Sequence, residues 1–456
     1  MYRENAWKKY DAAQEKEVMS FANGYKEFLS NSKTERLAVK EAVKRLLAKG
    51  FKPVEEVKSV KAGDKVFFVN KNKNVCAFVI GQKPITEGLR ILGAHIDSPR
   101  LDLKEHPLYE RNEFAYGDTH YYGGIKKYQW VTIPLALHGV VCKKDGTTVE
   151  INIGEDDKDP VVGISDLLIH LAADQMAKTA AKVIEGEALD ITLGSKPLKG
   201  KEKNAVKENV LKILKKKYDI EEEDLISAEI EVVPAGKARD YGLDSSMIAG
   251  YGHDDRCCAY PSLMALLDAG ELEYTGCTIL VDKEEIGSVG ATGAHSLFFE
   301  NAIAKLLELS GEKDPLWKTR LVMENSKMLS SDVSAGYDPL YAYVSDSNNS
   351  AFFGYGLVFN KYTGSRGKSG SNDSNPEFYA WVRKVMDEAN VCWQNSELGK
   401  VDQGGGGTIA YILGNYNMNV IDAGIPVLNM HAPMEIVSKA DLYEAYRGYV
   451  AFLLAK

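Results

Sequence analysis

Two short segments that carry histidine and acid, His95-Ile-Asp97 and Gly252-His-Asp-Asp-Arg256, lie far apart in this chain, with Asp254 following Asp97 by 157 positions. If both serve one site, the chain must leave the fold and return. A structureless loop of that length is not found in compact domains, so the intervening stretch is expected to fold by itself. The expectation is an α/β body over residues 1–100 and 241–456, interrupted by an inserted, mainly β domain over 101–240. With 456 residues, 45% of them hydrophobic, the chain can bury one large core or two moderate ones.

Local patterns support this division. Ser32-x-x-Glu35 reads as a capping box ahead of a helix with Leu37, Val39, Val43, Leu46 and Leu47 on its buried face and Gly50 at its end. Short apolar runs at Lys65–Val69, Val75–Ile80 and Leu89–Ala94 read as strands, the last running into His95. Trp130–Val141, Thr148–Ile153 and Ile226–Val233 supply strands of the insert. The lysine-rich stretch from Lys196 to Lys217 has Val206, Val210, Leu211 and Leu214 at helical spacing and reads as a solvated helix. After the insert, Cys257–Leu267 reads as helix, Cys277–Val281 as a buried strand, and Lys439–Leu454 as a closing amphipathic helix.

Composition excludes several roles. A formal net charge of −9 disfavours nucleic acid. No run is long enough to span a bilayer and the first thirty residues lack a secretory apolar stretch, so a cytoplasmic location is expected. The six cysteines show no Cys-x-x-Cys spacing, which argues against a zinc ribbon and for reduced thiols. Gly364-Ser-Arg-Gly-Lys-Ser369 imitates a phosphate-binding loop, but Tyr362 stands where a glycine is required.

The acids and histidines point to metal-assisted hydrolysis. On an extended segment His95 and Asp97 share a side, so His95 can bind a metal while Asp97 orients its ring. Asp254 and Asp255 repel each other unless cations or Arg256 compensate them, and a solvent-exposed turn is the alternative. In Glu284-Glu285 one carboxylate can bind metal while the other acts as general base, with Gly287, Gly290 and Gly293 allowing close backbone approach. Asp332 and His431 are further candidate ligands. Gly404–Gly407, with Gly405 and Gly406 at its centre, is expected to open a helix whose amides face a substrate.

Gly93-Ala-His-Ile-Asp-Ser-Pro-Arg-Leu-Asp102, Asp254-Asp-Arg256, Asp282-Lys-Glu-Glu-Ile-Gly287 and Met430-His-Ala-Pro-Met434 together resemble the aspartyl aminopeptidase and vacuolar aminopeptidase I family of metallopeptidases, across nearly the whole chain. The resemblance implies a zinc-exopeptidase-like α/β/α sandwich, a β insert that mediates dimerisation, and dimers assembled into a dodecamer. It implies two divalent cations per subunit, most simply zinc, with cobalt or manganese compatible with the same ligands. Asp254 would bridge them, His95 and Asp332 would hold one, Glu285 and His431 the other. Glu284 would be the general base and Asp97 the carboxylate behind His95. His170, in Leu167-Leu-Ile-His-Leu171, would reach a neighbouring subunit's site to stabilise the oxyanion, or would itself bind zinc; an ordinary helix-face histidine is the alternative.

The implied reaction is release of single N-terminal residues from peptides. An amidohydrolase acting on acylated amino acids could use similar ligands, and a non-catalytic self-assembling scaffold is the alternative from another class. The aspartyl branch has a substrate-binding lysine where this chain has Asn360, with Lys361 next to it, so the preferred residue stays open.

Overall fold

The computed structural model describes residues 4–456. They divide into two compact units. The first comprises the described residues up to Asp97, Ala238–Met430 and Glu435–Lys456; the second comprises Ser98–Lys237 with His431–Met434.

The first unit is built on a nine-stranded mixed sheet in the order Lys52–Pro53, Lys65–Asn70, Asn74–Val79, Thr275–Val281, Leu89–His95, Lys327–Ser330, Asn419–Gly424, Leu357–Asn360 and Trp393–Asn395. Leu89–His95 is buried along its whole length, and its alternate residues serve different cores. Leu89 and Ile91 join the cluster formed by helices Phe298–Leu309 and Pro315–Asn325, whereas Leu92 and Ala94 join the cluster under helices Glu35–Ala48, His253–Asp268 and Lys439–Leu454. Helices thus cover both faces, which is why the central strand is an uninterrupted apolar run instead of an alternating one. A second, five-stranded sheet joins Arg239–Tyr241, Met247–Gly250, Glu435–Ser438, Pro426–Leu428 and Ser334–Ala335.

The second unit is a six-stranded antiparallel sheet ordered Thr148–Ile153, Leu135–Cys142, Ala228–Pro234, Arg100–Arg111, Phe114–Tyr122 and Ile191–Gly194. Helix Ala205–Tyr218 carries the lysine run; Glu110 caps it by accepting the Val206 and Lys207 amides at 2.9 Å each.

Three local expectations are corrected. The cap of helix Glu35–Ala48 is Thr34, whose hydroxyl accepts the Leu37 amide at 3.2 Å, while Glu35 is buried and ion-paired with Lys73 at 3.0 Å instead of closing a box. Leu47 is half exposed, since it falls outside the helix's apolar stripe. The segment 130–134 stays out of the sheet, and the strand begins at Leu135 after a tight turn over Lys127–Gln129.

Candidate metal centre

Three neighbouring strands run parallel, and each delivers a candidate group just past its carboxyl end. Leu89–His95 ends on His95, Thr275–Val281 is followed by Glu284 and Glu285, and Lys327–Ser330 is followed by Asp332. Ligands gather at such strand ends because the loops that leave them share one crevice. Asp254 arrives from the start of helix His253–Asp268, where Asp254 and Asp255 have non-helical backbone angles and are joined by a cis peptide bond.

His95, Asp254 and Asp332, all buried, each place a ligand atom within 4.8 Å of the others, as do His95, Glu284 and Glu285. His95 Nε2 lies 3.1 Å from Asp254 Oδ1 and 4.0 Å from Glu284 Oε2. Its Nδ1 lies 3.3 Å from Asp97 Oδ1 and 3.1 Å from the Asp97 carbonyl oxygen. The Asp97 carboxylate also accepts the amides of Glu284 and Glu285, at 3.1 and 3.2 Å. One buried carboxylate therefore orients a histidine and both glutamates.

The charge balance favours a cation. Arg256, the alternative to a cation, turns its Nε and Nη2 to the carbonyls of Ile96 and Lys33, at 3.1 and 3.2 Å. Burial pushes the Asp332 carboxyl well above the carboxylate range; His95 opposes the shift, and Glu284, Asp254 and Asp422 add to it. Asp255 is raised in the same way. Burial acts against a charge on His95, but hydrogen bonds to Asp254 and Asp97, with Asp255 and Glu284 nearby, hold its pKa well above the usual value. Such a cluster retains protons unless a metal replaces them. Asp332 Oδ2 is buried without a hydrogen-bond partner among the described residues, as a waiting ligand atom would be. The donors are imidazole nitrogen and carboxylate oxygen, which suits zinc, cobalt or manganese.

The exposed-turn alternative for Asp254-Asp255 is overturned, since both are buried; Glu284 and Glu285 are half-buried, not buried as the adjacent acids were expected to be. His431 opens the short segment that belongs to the second unit, where its Nδ1 lies 2.8 Å from the Gly124 carbonyl. His170, also in the second unit, is exposed in a three-residue 3-10 turn, Ile169–Leu171, so it is not on the face of a longer helix.

Asn360 is buried, with Oδ1 accepting from Ser334 Oγ at 2.6 Å and Nδ2 donating to the Ser396 carbonyl at 2.9 Å. Lys361 and Lys368 both hold Asp373, at 2.5 and 3.0 Å. Gly405 and Gly406 do not open a helix directly. The helix starts only at Ala410, and Gly405, at φ 135°, packs so closely on the Gly364-Ser365 backbone that a Cβ would lie 2.1 Å from the Gly364 oxygen, while the Gly406 carbonyl accepts the Gly364 amide at 2.6 Å. Gly287 and Gly290 provide left-handed turns, not close approach.

Sequence reading missed several contacts around the cluster. Asp255 Oδ2 accepts the His95 amide at 3.2 Å, Glu435 accepts the Asp254 amide at 3.1 Å, and the Tyr25 hydroxyl meets His253 Nδ1 at 2.7 Å. Burial pulls His253 down to about 3, so it stands neutral beside the acids. The partners in these contacts lie more than 150 positions apart, and no local pattern links them.

A helix-covered sheet whose parallel strand ends gather histidine and carboxylates marks a metallohydrolase. The model for the aminopeptidase I zinc metalloproteases (M18) matches residues 28–453, and the chain belongs to that family: it is an aminopeptidase, a hydrolase. It is 59% identical over 454 residues to a probable M18 family aminopeptidase 1 of Clostridium acetobutylicum, covering 98% of this chain and 97% of that one. The crystal structure of an M18-family aminopeptidase from Thermotoga maritima superimposes with a TM-score of 0.96 at 47% identity, covering 99% of each chain. The mApe1 dodecamer of Saccharomyces cerevisiae shares the fold at a TM-score of 0.75 and 20% identity, over 94% of this chain and 95% of that one. Among the described residues no helix is long and apolar enough to cross a membrane.

Proposed function

We propose that this aminopeptidase releases single N-terminal residues from peptides at a centre holding two divalent cations, most simply zinc, with cobalt or manganese as competent substitutes. The observation that carries this reading is the convergence of His95, Asp254, Asp332, Glu284 and Glu285 past the carboxyl ends of three central strands. Asp254, His95, Asp332, Glu285 and His431 would hold the cations, Asp254 shared between them, His95 and Asp332 toward one and Glu285 and His431 toward the other. When bound, the cations polarise the scissile carbonyl and make water acidic enough to be deprotonated near neutral pH.

The protein's own groups do the rest. Glu284, half-buried and backed by Asp97, is the carboxylate in position to take a proton from the attacking water and deliver it to the leaving amine. Asp97 fixes the His95 ring and both glutamates, so that the base and the ligands keep their spacing. His170 serves a neighbouring subunit's site, where it stabilises the oxyanion.

The second unit is proposed as the dimerisation domain of a dodecamer built from dimers. Leu167, Leu168, Ile169 and Leu171 around His170 are all exposed, Ile169 at 69%, and a contiguous apolar surface of this kind suits burial against another copy. The test is hydrolysis of aminoacyl substrates and their N-acetylated counterparts by protein stripped of metal and reloaded. Metal-dependent cleavage of free-amine substrates is expected, and Glu284→Gln should retain metal and fold yet lose nearly all turnover. An active, metal-replete Glu284→Gln enzyme contradicts the assignment.

A further inference from the structure

We propose that Thr292, together with Asn70 and Asn74 at the tip of a neighbouring hairpin, clamps the loop that carries Glu284 and Glu285, which makes Thr292 a positioning residue for the hydrolysis. The proposal rests on the reading that these two glutamates serve the metal centre.

Past Val281 the loop has little regular structure to stiffen it. It passes through left-handed backbone at Lys283, Gly287, Ser288 and Gly290 before returning at Thr292. Its internal backbone bonds are turn contacts, from Ile286 and Ser288 to the Lys283 carbonyl at 3.3 and 2.7 Å, Gly287 to Glu284 at 2.9 Å, Gly293 to Gly290 at 3.3 Å and His295 to Ser288 at 3.2 Å, which shape the loop without tying it to the elements around it. Side-chain anchors must therefore set where the glutamates stand. Asp97 provides the anchor on the side of the metal centre. The second anchor is at the root, where Asp282 Oδ1 accepts the Lys283 amide at 2.8 Å and Asp282 Oδ2 accepts the Thr292 hydroxyl at 2.6 Å.

The returning strand of the loop is held from a different element. The Thr292 carbonyl accepts both the Asp282 amide, at 3.3 Å, and the Asn74 side-chain amide, and the Ala291 carbonyl accepts Asn70 Nδ2 at 2.8 Å. Asn70 and Asn74 face each other at the end of strands Lys65–Asn70 and Asn74–Val79, bonded at 3.0 Å. Asn74, Asp282 and Thr292 are all buried. Removing the Thr292 hydroxyl takes the donor from a buried carboxylate oxygen, and the loop root must shift or admit water to compensate.

Thr292→Val keeps the shape and removes the donor; Thr292→Ser keeps the donor. Two readouts separate the clamp from the role of the glutamates. Amide hydrogen exchange over residues 283–288 in metal-free protein should be at least about tenfold faster in Thr292→Val and normal in Thr292→Ser. Cobalt affinity, read from its visible absorption, and kcat should each fall by about 10–100-fold in the valine variant, with KM moving less, and should recover with serine. Asn70→Ala, at the exposed end of the clamp, should shift both readouts the same way if the valine variant does not fold. Wild-type exchange and cobalt affinity in a folded Thr292→Val, or in Asn70→Ala should the valine variant not fold, overturn the proposal. Should Glu285→Ala bind cobalt as tightly as wild type while exchange in Thr292→Val is faster, the ligand reading fails and the clamp stands.

Discussion

Gly424 is the last residue of strand Asn419–Gly424, and its hydrogen faces the backbone of Asp332. A Cβ added there would lie 1.7 Å from the Asp332 carbonyl oxygen and 2.5 Å from its carbonyl carbon. Real Cβ atoms do not come closer than 3.0 Å, so Gly424→Ala must move one backbone segment against the other by at least 1.3 Å, the difference between the two. Both atoms belong to main chain in the buried end of the sheet, and no flexible side chain can absorb the shift. Overpacking of this kind costs about 1–3 kcal/mol, too little to unfold a domain of ordinary stability. Displacing a candidate ligand by about 1 Å costs catalysis on the order of a hundredfold. The expectation is a folded protein with normal far-ultraviolet circular dichroism, a modestly lower Tm, kcat/KM down about a hundredfold and weakened cobalt binding. Gly270→Ala, where the added Cβ meets nothing within 4 Å, is the matched control and should behave as wild type. If Gly424→Ala turned over within about threefold of wild type, the reasoning that places Asp332 in the metal centre would fail, because such a shift predicts far more.

Lys361 and Lys368 are occupied by Asp373 and Asn360 is held between Ser334 and Ser396, so these three side chains are engaged away from an acidic N-terminal residue. Leucyl substrates should be cleaved faster than aspartyl ones, and a highest kcat/KM for Asp or Glu in a substrate panel would refute this. Burial opposes ionisation of Asp240, but bonds from Lys26 and Lys439 hold its carboxyl below the ordinary value. Its contribution to stability is therefore complete above the ordinary carboxylate pKa and is lost as pH falls through the lower folded value. Asp240→Asn should lower Tm at pH 7 and by progressively less towards pH 3; a pH-independent decrement contradicts the ion-pair account. Ile169→Asp should reduce the oligomer mass measured by light scattering without unfolding the chain, whereas an unchanged mass would remove this surface from the assembly.

Much of the candidate site was legible because strand ends and acid pairs are local features. The apolar run of Leu89–Ala94 terminating at His95, and Cys277–Val281 preceding the two glutamates, each read as a strand that ends on its candidate groups. The helix Lys439–Leu454 was also readable, since Leu442, Tyr449 and Leu453 repeat at the helical period and are buried. Interactions across long sequence separations were not. Thr292 and Asn74 are 218 positions apart, and Tyr25 and His253 are 228 apart; a threonine or a tyrosine carries no signal of which distant partner it will meet. The cap at Thr34 was misread for a related reason. Ser32 and Glu35 have the spacing of a box, but burial of Glu35 against Lys73 outweighs the local preference. Strands Arg100–Arg111 and Phe114–Tyr122 escaped notice because their charged and aromatic residues obscure the alternation.

The most direct test of the central claim is metal stoichiometry measured together with activity. Metal-free protein would be titrated with zinc at equilibrium, and cleavage of a leucyl substrate followed at each addition. The account predicts two ions bound per chain, with turnover appearing as the centre fills, and loss of at least one ion in Asp254→Ala. Full activity at one ion per chain, or two ions retained by Asp254→Ala, would contradict a centre bridged by that aspartate.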